Sequence, residues 1–394
     1  MKKAQRQTFI KKHRKAFIAA AAVVFLAAAV CISTGMFFSD SDDTEDILQS
    51  IRSEKIQPGT DRIVSGMTLE EKVAQMFLAC FYSGTPSPDE IRECTPGGVL
   101  LFGASFSDSM PAEVRKSISA VNSASSTPPF IAVDEEGGTV VRVSSSKKFR
   151  STPFLSPREL YAKGGLDLIV SDAHEKNTLL SGLGINLDLA PVCDISTNRK
   201  DFMYDRSLGQ DARTTSDFAE AVVKACAEDS MGCTLKHFPG YGDSADTHKG
   251  IAVDRRSMDQ LRSSDLLPFQ AGIDAGAPSV LVSHNIVRTI DADAPASLSP
   301  AVHRMLREDM GFRGVIITDD LSMDAIDGFF PEADSAVTAV LAGNDMLCTG
   351  SFHKQYDAVL KAVRDGDITE ERIDQSVRRI ISWKISTGLI NPAD

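Results

Sequence analysis

Charged and polar residues recur at the ends of short apolar segments in this sequence. Asp134 ends one segment, Lys236 and His237 end a second, and His284 and Asp319 end two others. Side chains of these types can donate and accept many hydrogen bonds, which suits the hydroxyl groups of a sugar. One carboxylate among them could attack an anomeric carbon as a nucleophile. These residues therefore indicate an active site, provided that the fold brings them together.

A polar loop follows directly on one of these segments. The stretch KHFPGYGDSADTHKG, residues 236–250, has a histidine near each end, His237 and His248, with Asp246 two residues before the second. Its many glycines and few apolar residues are typical neither of a helix nor of a buried strand. We expect a flexible loop that carries polar groups of the site.

Other kinds of chemistry find less support in the sequence. It has no GxGxxG motif after an apolar segment, no Walker loop and no HExxH motif, so nucleotide binding and zincin-type catalysis are not indicated. A metal site built from His237, His284 and carboxylates stays open as an alternative, although we expect neither a metal nor a cofactor. The seven cysteines form no CxxC pair, and several lie in apolar runs, which favours small buried side chains over disulfides.

The apolar segments alternate with helix-like patterns, and this order predicts βα units. Several segments are continuous apolar runs, which are typical of parallel strands buried on both faces. Eight segments predict a single (β/α)8 TIM-type barrel, with the polar residues at the C-terminal strand ends where barrel enzymes do their chemistry. An open doubly wound sheet is the alternative. The predicted strands are residues 73–80, 97–103, 129–134, 185–192, 233–238, 279–284, 314–319 and 345–350.

The first 60 residues differ in composition from the remainder. Residues 1–15 contain seven Lys/Arg and no acid, residues 16–38 are uncharged and almost wholly apolar, and residues 39–60 begin with the acidic tract SDSDDTED. This order predicts a basic cytoplasmic tip, a transmembrane signal-anchor and a linker, followed by an extracytoplasmic catalytic domain at residues 61–394. A secreted protein with a cleaved signal and a lipoprotein are the alternatives.

The charge balance argues against nucleic acid as a partner. The chain carries 42 Lys/Arg and 54 Asp/Glu, a net charge of −12, and seven of the cations lie in the basic tip. The remaining chain is therefore strongly acidic, and it should be repelled by phosphate backbones and anionic membrane surfaces. We expect contact with a membrane through the anchor alone, and a monomeric protein.

Six motifs in the order of the chain resemble those of glycoside hydrolase family 3, and within it the β-N-acetylglucosaminidases. The resemblance covers roughly residues 61–390, and each motif lies at a predicted strand end. Any one motif would be moderately specific, whereas six in the right order are strongly so. The motifs are VDEEGGTVVR (133–142), NLDLAPVCDI (186–195), YDRSLGQD (204–211), KHFPGYGD (236–243), GFRGVIITDDLSMDAI (311–326) and AGNDML (342–347).

The resemblance implies a role for each matching residue. Asp319 would be the nucleophile that forms a covalent glycosyl-enzyme, His248 the general acid/base, and Asp246 the residue that orients His248. Four further residues would hold the hydroxyl groups of the sugar: Asp134, Arg206, Lys236 and His237. Because the Asp-x-His loop favours N-acetylhexosamine over glucose, the resemblance implies a retaining exo-β-N-acetylglucosaminidase that acts on peptidoglycan fragments or chito-oligosaccharides.

The sequence departs from the pattern of this family at several positions. The usual Asp-Ser-His is Asp-Thr-His here, and the loop from Lys236 to His248 is one residue shorter than in familiar members. Tyr241 stands where His is usual, Glu135 replaces Gln and Thr139 replaces Arg. These changes could shift the substrate choice or the position of the loop. A β-glucosidase, an N-acetylglucosaminide phosphorylase and a non-catalytic sugar-binding protein are therefore the alternatives.

Overall fold

The computed structural model describes residues 56–242, 252–323, 326 and 332–393. Eight parallel strands form one sheet in the order β10-β1-β2-β3-β4-β5-β7-β9, and β6 and β8 form a separate parallel pair. The strands are β1 (Phe77–Phe81), β2 (Gly98–Leu101), β3 (Phe130–Val133), β4 (Leu187–Asp188), β5 (Gly232–Phe238), β6 (Val253–Asp254), β7 (Ser279–Val282), β8 (Ile286–Val287), β9 (Val315–Thr318) and β10 (Leu347–Thr349).

The eight-stranded sheet curls round so that its two outer strands approach each other. A parallel bridge joins Ile317 on β9 to Met346 just before β10. There the Thr318 N–H donates to the Met346 carbonyl at 3.0 Å, and the Met346 N–H donates to the Ile316 carbonyl at 3.0 Å. Neighbouring strands follow each other in chain order all round the sheet, without the reversal of order that defines a doubly wound sheet. The described chain is therefore an α/β fold with a nearly closed eight-stranded parallel barrel.

Helices follow most strands, as the alternating pattern predicted. Helical residues 56–66 precede the first strand. Three of the helices begin with a serine capping box, in which the hydroxyl of Ser87, Ser156 or Ser257 accepts the backbone N–H of the residue three positions later. The helices are α1 (Leu69–Gln75), α2 (Pro88–Cys94), α3 (Ala104–Ser107), α4 (Pro111–Ala124), α5 (Pro157–Ser181), α6 (Ala212–Glu228), α7 (Met258–Ser263), α8 (Leu266–Asp274), α9 (Pro300–Arg304), α10 (Glu332–Ala342), α11 (Phe352–Asp365) and α12 (Glu370–Ser386).

All eight predicted strands are present, but the first begins later than expected. The prediction started a strand at residue 73, whereas residues 73–75 end helix α1. Thr68 forms a capping box with Glu71 that starts this helix, and its apolar residues bury against the core as a helix just as a strand would bury them. A short apolar run is compatible with either structure, so the periodicity alone gave the wrong boundary.

The strand predicted at 185–192 is also shorter, because only Leu187 and Asp188 form regular pairs. Beyond Asp188 the chain still contacts the neighbouring strand β5, since the Thr234 N–H donates to the Ala190 carbonyl at 2.8 Å. Pro191 has no N–H to donate, which interrupts a regular ladder. The chain here runs along the barrel wall without the full hydrogen-bond pattern of a strand.

The predictions of a membrane anchor and of buried cysteines involve residues that the structure describes only in part. Residues 1–55, including the predicted anchor, lie outside the described residues, and within the described ranges no helix is long and apolar enough to cross a bilayer. The six described cysteines are buried and free. The sulfur atoms of Cys80 and Cys348 lie 3.5 Å apart, well beyond the bond length of a disulfide, so the interpretation of these cysteines as small buried side chains is confirmed.

Lys384 on helix α12 is fully buried in the core, and no carboxylate of the described residues forms an ion pair with it. Its Nζ donates to the Gln75 Oε1 at 2.7 Å and lies 5.3 Å from the centre of the Phe130 ring. Burial lowers the pKa of Lys384 to about 7. The folded protein should therefore hold this amine partly neutral near neutral pH, which is rare for lysine.

We predict that Lys384→Met removes a pH-dependent part of the stability. In the unfolded chain a lysine has a pKa of about 10.4, so between pH 7 and that value the unfolded state binds more protons and stability rises with pH. Below pH 7 both states are protonated and the cost of burial is fully present. Urea denaturation from pH 6.5 to 9.5 should show a wild-type stability that rises relative to that of Lys384→Met, by up to about 1.4 kcal/mol per pH unit.

The matched control for this comparison is Lys116→Met, because Lys116 is exposed on helix α4. It should leave the pH profile parallel to that of the wild type. Parallel profiles for Lys384→Met as well would show that the buried amine keeps its proton in the folded state.

Candidate active site

An open cavity of about 620 Å³ lies at the C-terminal ends of the barrel strands. Its wall includes Asp134 after β3, Lys236 and His237 on β5, and Asp319 after β9, together with Arg206 from the long connection between β4 and α6. A cavity of this size suits a small ligand. These strand ends therefore meet around one cavity.

Lys236 is the centre of a buried ion cluster at one side of this cavity. Its side chain is 2% exposed, and its Nζ lies 2.7 Å from Asp134 Oδ1 and 2.5 Å from Glu136 Oε1. Burial alone would lower the pKa of the lysine, but Asp134 and Glu136 outweigh it, and the pKa of Lys236 is raised. Lys236 therefore stays a cation although it is almost completely withdrawn from water.

Glu136 pairs with a second cation, Arg206, through two parallel hydrogen bonds. Arg206 Nε lies 2.9 Å from Glu136 Oε2, and Nη2 lies 2.6 Å from Oε1. Burial would raise the pKa of Glu136, but the charges of Arg206 and Lys236 lower it far below its usual value. This two-pronged geometry fixes the plane of the guanidinium, so Arg206 reaches the cavity in one orientation.

His237 is held between an acid and Arg206. Its Nδ1 lies 2.8 Å from Asp194 Oδ2, and the same oxygen accepts the His237 backbone N–H at 3.0 Å. The other ring nitrogen, Nε2, lies 3.1 Å from Arg206 Nη2. Because a guanidinium can only donate, Nε2 must accept, and the proton of the neutral ring is on Nδ1. Asp194 thus selects the tautomer as well as the direction of the ring.

The turn after β3 is shaped by two buried carboxylates beneath the cavity. Glu135 accepts the backbone N–H groups of Arg142 and Val143 at 2.7 Å each and that of Ser144 at 3.0 Å. Asp188 accepts the Glu135 N–H at 2.9 Å, and burial raises the pKa of Asp188 to about 7. These bonds hold the turn rigidly behind Asp134 and Glu136.

Arg142 and Gly137 complete the packing of this turn. Arg142 Nη2 lies 3.5 Å from Asp134 Oδ2, so it supports the carboxylate on the side away from Lys236. Gly137 has φ 95° and a Cβ there would lie 2.1 Å from the Leu155 carbonyl oxygen. Only glycine fits this close approach, which gives a physical reason for the Gly-Gly step in the motif.

Asp319 follows β9 and faces the cavity. Its backbone N–H donates to the Val282 carbonyl at 2.9 Å, and its Oδ1 accepts the Asp320 N–H at 2.9 Å. Asp320 in turn accepts the Ser322 N–H at 2.9 Å and the hydroxyl of Tyr82. The backbone on both sides of Asp319 is therefore fixed by bonds within the turn and by bonds to Val282 and Tyr82.

His284 follows β7 and lies beside Asp320, but it does not line the cavity. The side chain is fully buried. Its Nε2 lies 2.9 Å from the Asp320 carbonyl oxygen, and its Nδ1 lies 2.7 Å from the Ser297 hydroxyl. Nε2 thus supports the backbone next to Asp319, while Nδ1 holds the ring against the Ser297 side chain. Among the described residues, no three or more His, Cys, Asp or Glu are grouped so that they could hold a metal ion.

Five of the seven residues to which the family resemblance gives a role line one cavity: Asp134, Arg206, Lys236, His237 and Asp319. Asp246 and His248 lie outside the described residues, so their placement stays a prediction. Glu136 and Asp194 were not chosen as site residues, although both stand inside the quoted motifs. The sequence held no signal for them, because their role follows from the burial of Lys236 and Arg206, which need acids close by.

The fold and the site together define an α/β-barrel enzyme of the glycoside hydrolase class. Residues 68–383 match the glycosyl hydrolase family 3 N-terminal domain, which spans most of the chain. The chain belongs to glycoside hydrolase family 3. The predicted family and enzyme class are therefore confirmed.

Similar proteins extend this result. A beta-hexosaminidase of Xanthomonas campestris pv. campestris (strain B100) is 34% identical over 241 residues, which are 60% of this chain and 72% of that protein. One of Stenotrophomonas maltophilia (strain K279a) is 35% identical over 242 residues, 60% of this chain and 71% of that protein. A solved glycoside hydrolase family 3 beta-N-acetylglucosaminidase from Paenibacillus sp. str. FPU-7 matches with a TM-score of 0.77 and 31% identity, over 82% of this chain and 63% of that longer chain.

We predict that Glu136→Gln destabilises the fold, because it leaves Lys236 and Arg206 with too little negative charge around them. Breaking a buried ion pair by removing one partner costs about 3–5 kcal/mol. Urea denaturation at pH 7 should show a loss of this size.

The chain offers a matched surface pair as the control. Glu175 binds Arg150 in the same two-pronged way, at 3.0 and 3.3 Å, but its side chain is 58% exposed. Glu175→Gln should cost no more than about 1 kcal/mol. Equal losses in the two variants would contradict the view that burial makes the Glu136 cluster structurally important.

Proposed function

We propose that this protein is a retaining exo-β-N-acetylglucosaminidase that cleaves terminal N-acetylglucosamine from peptidoglycan fragments or chito-oligosaccharides. The observation that carries the proposal is the arrangement of the cavity, where Asp319 faces the buried Lys236–Glu136–Arg206 cluster. The names of the relatives, beta-hexosaminidase and beta-N-acetylglucosaminidase, support N-acetylglucosamine as the sugar.

The ion cluster suits the binding of a sugar that lacks a charge of its own. Asp134 can accept hydrogen bonds from hydroxyl groups, while Lys236 and Arg206 can donate to them. Because their charges are already balanced within the cluster, a neutral ligand adds no unpaired charge to the buried site. The groups are also fixed in direction before the ligand arrives, which reduces the entropy lost on binding. We infer that they hold the hydroxyl groups far from the anomeric carbon.

Asp319 is the proposed nucleophile. One of its carboxylate oxygens would attack the anomeric carbon and form a covalent bond as the glycosidic bond breaks. The departing oxygen must gain a proton in this step. Water then attacks the anomeric carbon, loses a proton and releases Asp319, so that the configuration at that carbon is retained overall. The bonds that fix the backbone around Asp319 would keep its attack geometry constant through both steps.

His248, oriented by Asp246, is the proposed carrier of these protons. A neutral histidine has an unperturbed pKa of about 6.5, so it can both donate and accept a proton near neutral pH. It would protonate the leaving oxygen in the first step and deprotonate water in the second. Support for this pair comes from the sequence between Gly242 and Ala252, which follows the cavity-lining Tyr241 in the chain.

We also propose that residues 16–38 anchor the protein with a TIM-type catalytic barrel outside the cytoplasm, as a monomer without a cofactor. The apolar, uncharged composition of this segment and the basic residues before it support the anchor. Membrane fractionation of the full chain tests it, since release of intact protein into the soluble fraction would argue for a secreted form.

We predict that Asp319→Ala lowers kcat/KM for the nitrophenyl β-glycoside of N-acetylglucosamine by more than about 1000-fold, as loss of a nucleophile does. Asp357→Asn, an exposed carboxylate on α11, should keep the wild-type rate. A fluorosugar should label Asp319 covalently, and peptide mass analysis would detect the adduct. Full activity of Asp319→Ala, or labelling elsewhere, would contradict the assignment.

The same assay separates the alternative activities. The wild type should prefer the N-acetylglucosaminide over the matching glucoside, and added phosphate should yield no sugar phosphate. A preference for the glucoside would indicate a β-glucosidase, and formation of sugar phosphate would indicate a phosphorylase. Binding of the sugar without turnover would indicate a non-catalytic protein.

We predict that His248→Ala loses less activity on substrates with good leaving groups than on substrates with poor ones. A leaving group such as nitrophenolate departs without much help from a proton, whereas an alkoxide needs it. The measurement compares kcat/KM for a series of aryl and alkyl β-N-acetylglucosaminides. An equal loss across the series would count against His248 as the acid.

A further inference from the structure

A tyrosine at the mouth of the cavity is half exposed. Tyr82 directly follows β1 and lines the cavity, yet its side chain is 50% exposed. Its ring packs on Phe102, with ring centres 4.6 Å apart and planes inclined by 44°. Phe102 also lines the cavity, after β2. We call this pair, Tyr82 and Phe102, the aromatic ledge.

The aromatic ledge is held in place before any ligand binds. The Tyr82 hydroxyl donates to the Asp320 carboxylate. The ring lies so close to Gly350 that a Cβ there would be 2.7 Å from Tyr82 Cε2. The guanidinium of Arg142 lies 5.5 Å from the centre of the Phe102 ring. A rigid aromatic surface loses little entropy when a ligand packs on it, so this ledge is suited to binding.

The position of the ledge matches one part of a glycoside. The cations that could hold hydroxyl groups lie on the β3–β5 side of the cavity, and Asp319 lies after β9. Tyr82 contacts Asp320, the neighbour of Asp319, from the β1 side. A sugar with its distal hydroxyl groups at Lys236 and its anomeric carbon at Asp319 directs the substituent of that carbon away from Lys236. This substituent would extend towards β10, β1 and β2, where the ledge lies.

We propose that the aromatic ledge is the subsite for the leaving group, and that it takes the second pyranose ring of a β-linked oligosaccharide. This inference rests on the proposed function, because it needs the anomeric carbon at Asp319. One face of a β-linked pyranose carries mainly C–H groups, and such a face packs well on an aromatic ring. Tyr82 lines the cavity and is half exposed, so it offers an aromatic surface for such a face.

The test compares two substrates that differ in the leaving group alone. N,N′-diacetylchitobiose has a second sugar ring, whereas the methyl β-glycoside of N-acetylglucosamine has none. Tyr82→Ala should lower the ratio of kcat/KM for diacetylchitobiose to that for the methyl glycoside by about tenfold, the size expected for one lost aromatic contact. Tyr82→Phe keeps the ring and loses the bond to Asp320, so it should keep the ratio within about twofold of wild type.

The control is Leu341→Ala on helix α10, which removes an apolar side chain that is 54% exposed and should not change the ratio. If the wild type cleaves both substrates but Tyr82→Ala leaves the ratio unchanged, the ledge is not the subsite. If Tyr82→Phe and Tyr82→Ala slow both substrates equally, Tyr82 only positions Asp320, and the proposal is overturned. A wild type inactive on both substrates overturns the proposed function, and the subsite with it.

Discussion

The shared carboxylate of Glu136 is the interaction on which the cavity wall depends. It binds Lys236 and Arg206 at once, and it supplies negative charge that both buried cations need at this depth. The three residues come from different parts of the chain, after β3, before α6 and on β5. One buried acid therefore ties the long connection between β4 and α6 to the barrel. Asp194 also connects this loop to the barrel, because it binds His237 Nδ1 on β5. The other ring nitrogen, Nε2, is then left to accept a hydrogen bond from Arg206.

A second group of contacts surrounds Asp320, on the β9 side of the cavity. Its carboxylate binds Ser322 and Tyr82, its carbonyl oxygen contacts His284, and Gly350 packs close by. These contacts connect the ends of β7, β9, β10 and β1 where the barrel closes. Asp319 is adjacent in sequence, and its own N–H donates to the Val282 carbonyl at the end of β7. The cavity is thus supported by two rigid sides that face each other across the ligand space.

Much of this arrangement could be predicted because strand ends carry a strong signal. Asp134, Lys236, His237 and Asp319 each end an apolar run, and parallel strands in a barrel must all point their C-terminal ends to one face. The pattern could not distinguish His284 from these residues, since a strand end does not reveal which way a side chain turns. Nor could it single out Glu136 within the run Asp134–Gly138, where three acids stand in a row.

The sequence by itself determined the class of fold, the family and the cavity-lining residues of the quoted motifs, because local patterns and motif order are properties of the chain. It also determined that the chain carries an acidic excess after a basic tip. Only the tertiary structure decided the partners: Glu136 with Lys236 and Arg206, Asp194 with His237, His284 with the backbone of Asp320, and Tyr82 at the cavity mouth. Such pairings depend on distances between residues that are far apart in the chain, and a linear pattern does not contain these distances. It does not contain burial either, and burial is what makes the charges of these residues interact strongly.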